Sequence, residues 1–134
     1  MTRLGIAGIA TLLTMGVMDA VWLVTMTPRL YRRQIPDLLL DSPQWAPALA
    51  FYLLYAVAVL VLVVRPALEG DWGLPRLLAS GALLGLAAYG TYDLTNQATL
   101  RGWSTLVTIV DMAWGASLTA TVATVATLVA RRLG

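Results

Sequence analysis

The chain has 134 residues, 59% of them hydrophobic and only 12% charged. A soluble domain carries about a quarter charged residues, and a chain this apolar would expose sticky patches to water, so lipid is its natural solvent. The net charge of +2 comes from nine arginines scattered at segment ends rather than gathered in a stripe, so nucleic acid is not an expected partner.

Four apolar windows can each reach the ~20 residues needed to cross ~30 Å of hydrocarbon. They fall at about 4–26, 45–64, 74–98 and 104–130. The expected fold is an all-α membrane protein: a four-transmembrane-helix bundle in one domain, 1–134, with both termini on the same side.

The first window follows Arg3 and could pass for a secretion signal. It runs on past Asp19 to Met26 with no convincing small-x-small cleavage site, so it is read as a retained helix. The connection from Met26 to Gln44 is the longest. Within it, Pro36–Leu40 reads either as an interfacial segment dipping Leu38, Leu39 and Leu40 into lipid or as an ordinary polar loop. The second window opens at Trp45 and carries Phe51, Tyr52 and Tyr55. Arg65 and Pro66 are expected to end it, because proline breaks the hydrogen-bond ladder and arginine anchors at headgroups. The third window holds a Gly81–Gly85 pair, the small-xxx-small spacing that lets another helix approach closely, here for packing within the bundle. The fourth is rich in Ala and Thr and ends at Arg131 and Arg132. Trp45, Trp72 and Trp103 stand at window ends, as an aromatic belt would.

Orientation rests on the positive-inside rule. The side of the termini carries Arg3, Arg65, Arg76, Arg131 and Arg132, and the other carries Arg29, Arg32, Arg33 and Arg101. Five against four puts the termini in the cytoplasm of what is expected to be a bacterial cytoplasmic membrane.

Three aspartates lie inside the windows: Asp19, Asp93 and Asp111. A carboxylate there costs about 2.5–3.5 kcal/mol on insertion scales, so each must face protein or water. Counted from the window ends at ~1.5 Å per residue, all three sit roughly 7–11 Å below the same surface. Trp22 follows Asp19 by three residues and Trp114 follows Asp111 by three, so each pair shares a helix face. Gly81, Gly85, Tyr89, Asp93 and Asn96 form one stripe on the third helix; Ser104, Thr108, Asp111 and Gly115 form one on the fourth. MDAVW at Met18–Trp22 echoes VDMAW at Val110–Trp114. One half of the bundle is therefore expected to be a greasy plug and the other a polar, aromatic chamber. Its expected acid–base groups are Asp19, Asp93 and Asp111, and its ligand-binding groups are Trp22, Tyr52, Tyr55, Tyr89, Tyr92, Asn96, Thr108 and Trp114.

The absence of His, Cys and Lys removes a histidine-held haem or zinc, a cysteine nucleophile and a lysine Schiff base. Carboxylates suit Mg²⁺ or Mn²⁺, but nothing in the spacing demands either, and no metal or cofactor is assigned.

The segments AAYGTYDLTNQATLRGW and TIVDMAWG, with MDAVWL and the ALAFYLLYA run, together resemble the bacterial membrane family known as domain of unknown function 2177. The resemblance covers nearly the whole chain. It implies that Asp19, Trp22, Tyr92, Asp93, Asn96, Trp103, Asp111, Trp114 and Gly115 stand in motif positions, and it implies no activity.

Three functions fit the residues. The first is a site for a membrane lipid or other lipophilic small molecule, with an aspartate giving or taking a proton. The second is proton-coupled transport or relay through Asp19, Asp93 and Asp111, with a homo-oligomer completing the path through the aliphatic half. The third is a non-catalytic membrane assembly partner in which the polar cluster locks the packing.

Overall fold

The computed structural model describes Thr2–Gly134. The described residues form four long helices: α1 (Arg3–Gln34), α2 (Trp45–Glu69), α3 (Leu74–Thr99) and α4 (Thr105–Leu133). Two are capped by hydroxyls that satisfy free N–H groups of the first turn. Thr2 accepts from Gly5 N–H at 3.0 Å, and Ser104 from Val107 N–H at 3.3 Å.

Helices α1 and α2 run further than the windows suggested. α1 does not stop at Met26 but passes through a wide π turn, Thr27–Tyr31, and continues to Gln34. α2 likewise passes through a π turn, Leu60–Val64, and carries Arg65 and Pro66 inside the helix as far as Glu69. Proline removes a donor and presses on the carbonyl four residues back. A widened turn makes room for that ring, and here Pro28 sits inside one π turn and Pro66 just after the other.

α1, α2 and α4 are long and apolar enough to cross a membrane. α3 has the length, at 26 residues, but is not among these three. Its final turns carry Thr91, Asp93, Thr95, Asn96, Gln97 and Thr99, which lower its mean hydropathy. Large apolar side chains point outward along the bundle, including Val24 at 79% exposure, Leu54 at 66% and Leu83 at 67%. Such an outer surface suits lipid.

α4 is the hub. Eleven of its residues are buried, from Val107 to Ala130. It packs most closely on α3 and next on α1, and these two make little direct contact with each other. The α3–α4 seam depends on glycine. A Cβ on Gly85 would strike the backbone of Gly115, and one on Gly81 would come 2.8 Å from Ala120 Cα. The small-residue pair of α3 is thus used inside the bundle. α2 lies against α1 and meets α4 mainly around its π turn, so its first half stands away from α4.

The two ends of the bundle are tied differently. At one, Gly134 lies against Arg3, and the Arg131 guanidinium donates to the carbonyls of Ala67 (3.1 Å) and Trp72 (2.9 Å). At the other, the Ser104 hydroxyl donates to the Gln34 side chain at 2.8 Å, joining the third connection to the end of α1. Within the first connection Leu39 packs on Leu30, Ile35 and Val107, while Leu38 and Leu40 stay exposed.

Candidate functional site

The splayed start of α2 leaves a cavity of ≈ 460 Å³ at the end opposite the termini. Helix α1 contributes Leu23, Thr27 and Tyr31; the following connection contributes Leu39. Phe51 enters from α2, and Ala88, Tyr89 and Tyr92 enter from α3. Asp111 of α4 closes the inner wall and is the only carboxylate in the lining. The volume lies in the range of small-molecule sites, which are mostly apolar with few, placed polar groups.

Asp111 is the centre of a polar chain. The Tyr31 hydroxyl donates to Asp111 Oδ1 at 2.5 Å and accepts from Trp22 Nε1–H at 2.9 Å. Behind Asp111 lies Asp93, which is 0% exposed. No side chain or backbone N–H among the described residues donates to either Asp93 oxygen. The acidic group that acts on it electrostatically is the Asp111 carboxyl. Two carboxylates so placed repel; a proton between them, or a cation beside them, makes the contact attractive. Asp19 is half-buried, near enough to Asp111 for the two carboxyls to act on each other.

The aromatic groups form the frame. Trp22 and Trp114 stack at 4.3 Å between centroids with planes 9° apart. The two D-x-x-W segments thus face each other through this stack, and Trp22 serves Asp111 through Tyr31. Tyr55 meets Tyr89 edge-on at 6.2 Å, and its hydroxyl pairs with Thr119 at 2.6 Å. Tyr92 meets Trp103 edge-on at 5.5 Å. Trp103 Nε1–H donates to Thr108 Oγ1 at 2.9 Å, so Trp103 is part of this frame and not only a surface anchor.

Of the residues expected at the site, Asp111, Tyr89 and Tyr92 line the cavity. Asp19, Asp93, Trp22, Trp114, Tyr55 and Thr108 are not in its lining; Trp22 meets it through Tyr31 and Tyr55 through Tyr89. Two of the expected residues are not brought in. The Tyr52 hydroxyl donates to the Leu12 carbonyl across the α1–α2 seam. Asn96 is half-buried near the end of α3 and contributes its backbone carbonyl, to Leu100 N–H at 2.8 Å.

Tyr31 was missed by the sequence reading. In an unbroken α-helix a residue nine positions on lies about 180° around the axis. The π turn inserts one extra residue, which rotates Tyr31 back toward the face of Trp22. No periodicity in TPRLYRR signals that. Proline beside arginines reads instead as a helix end.

By class, the arrangement is a helical-bundle membrane protein with an acidic, aromatic cavity at one end. The family described as "Predicted membrane protein (DUF2177)" matches residues 4–128, and the chain belongs to it. No curated protein and no solved structure matches the chain.

Proposed function

We propose that the protein is an integral membrane protein with four spans that binds a lipophilic small molecule in the cavity beside Asp111. α3 would be the fourth span. Its 26 residues reach about 39 Å at ~1.5 Å per residue, and Asp93, its one aspartate, turns toward α4 and away from lipid. With four spans both termini lie on one side of the membrane. The arginine count favours the cytoplasm for that side, and the family resemblance favours a bacterial cytoplasmic membrane.

The observation that carries the reading is a ≈ 460 Å³ cavity with greasy walls and one carboxylate, backed by a fully buried second carboxylate that no donor satisfies. Burying such a group costs several kcal/mol unless something compensates it. Packing alone would be better served by an aliphatic residue. Asp19, Asp93 and Asp111 are the groups that would hold, give or take a proton at the ligand's polar end, with Asp111 in contact.

The test is mass spectrometry of small molecules that co-purify in mild detergent, for wild type beside a folded Asp111→Asn variant. A defined lipophilic molecule held by wild type and lost from the variant is the expected result. Bulk phospholipid alone in both would count against the site.

A proton relay is the second reading, supported by the chain Trp22–Tyr31–Asp111 with Asp93 behind it. Against it stands the other half of the bundle, where Val59, Val63, Val64, Val122, Ala123 and Ala126 are closely buried. Proton flux into liposomes that vanishes with Asp93→Asn would favour the relay.

A further inference from the structure

We infer that the ligand of the cavity is a lipophilic cation: an apolar alkyl or aryl body carrying one positive charge. The inference rests on the cavity being a ligand site, as proposed above, and adds the charge of what enters.

The protein leaves its own acids without counter-charge. Asp111 lines the cavity, with Asp93 behind it and Asp19 alongside. No arginine lines the cavity, and the one ion pair among the described residues is Arg65–Glu69, on an exposed stretch of α2. A carboxylate in a cleft with low-dielectric walls, with no cation beside it, focuses a negative potential and raises the local concentration of cations. An anion entering the same space would meet like charge and no cationic partner. A neutral hydroxyl could pair with Asp111 but would bring no charge to offset the carboxylate in the cavity wall.

The walls point the same way. Four aromatic rings, of Tyr31, Phe51, Tyr89 and Tyr92, line the cavity around the carboxylate. Aromatic faces attract cations, most strongly where water is excluded, and rings around a carboxylate are the usual frame for a bulky, weakly hydrated ammonium-type head. A strongly hydrated metal ion gains little from such walls. Among the described residues no group of three acidic side chains is arranged to hold one.

The probes are radiolabelled tetraphenylphosphonium and radiolabelled farnesol, one a lipophilic cation and the other a neutral lipophile. Each is measured by equilibrium dialysis against the full chain in nanodiscs, with empty nanodiscs subtracted. The expected result is saturable binding of tetraphenylphosphonium to wild type, kept in Asp111→Glu and weakened about tenfold or more in Asp111→Asn. Equal tetraphenylphosphonium binding by a folded Asp111→Asn variant would overturn the inference. If that variant does not fold, the two probes on wild type decide the matter. Saturable farnesol binding without saturable tetraphenylphosphonium binding leaves the cavity a ligand site and overturns the charge assignment. Saturable binding of neither overturns both.

Discussion

The two halves of the bundle solve opposite problems. Toward the termini, Ala7, Val59, Val64, Ala67, Val122, Ala126 and Ala130 are almost wholly buried, and Arg131 fastens the link between α2 and α3. Small side chains there let the helices close tightly on one another. Toward the other end the same helices part, large aromatic rings replace small residues, and a cavity and an unsatisfied carboxylate remain. The contrast teaches how a short chain can keep an open cavity with a carboxylate in its wall: one half holds the helices so that the other need not close.

The largest test of that contrast places a leucine on each side of the divide. Gly85 faces the Gly115 backbone, whereas Ala88, three residues on, faces the cavity. Gly85→Leu should cost about 3 kcal/mol or more, because backbone cannot give way to a side chain. The folded, monodisperse fraction in detergent should collapse. Ala88→Leu should leave that fraction nearly unchanged and abolish the binding of whatever ligand wild type retains. Equal damage from both would mean that the open half is as tightly packed as the closed one.

A smaller loss is expected where the polar half is stitched together. Tyr31→Phe removes a bond to a carboxylate and leaves the Trp22 N–H without its acceptor. Thermal unfolding in detergent should show a loss of about 2 kcal/mol, in the range of hydrogen bonds to charged groups. The Trp22–Trp114 stack should persist, because its planes are held by α1 and α4. A Tyr31→Phe variant as stable as wild type would mean that the π turn does not place the hydroxyl as described.

How much of this was legible follows from what each residue's position depends on. Counting 1.5 Å per residue brings Asp19, Asp93 and Asp111 to one level, because depth along a helix follows from sequence spacing alone. The i, i+3 pairing of Asp19 with Trp22 and Asp111 with Trp114 prepares the stacked frame for the same reason. Tyr52 and Asn96 share that level too. Which way a residue faces across the bundle depends on how the helices are rotated against each other, however, and the pattern of α2 is apolar nearly all round. It gives no face to read. Tyr31 was hidden more deeply, since one extra residue in a π turn resets every face beyond it. The span assigned to α3 shows the converse: the residues that make it look weakly apolar include those that make the site.

The smallest expected effect has the opposite sign and separates a site from a packing lock. If Asp93 were there to hold helices together, replacing its carboxyl would lower stability. Its carboxyl has no donor and faces that of Asp111. Asp93→Asn keeps the shape and supplies an amide N–H able to donate to Asp111 without a proton or cation held between them. The variant should therefore unfold at a higher temperature than wild type, by a gain of about 1 kcal/mol, the ordinary net worth of one hydrogen bond. It should bind its ligand less well, the trade expected where a site is kept at a cost in stability. A destabilised Asp93→Asn with unchanged ligand content would make the polar half structural after all, and the two ends of the bundle would then differ in chemistry without differing in purpose.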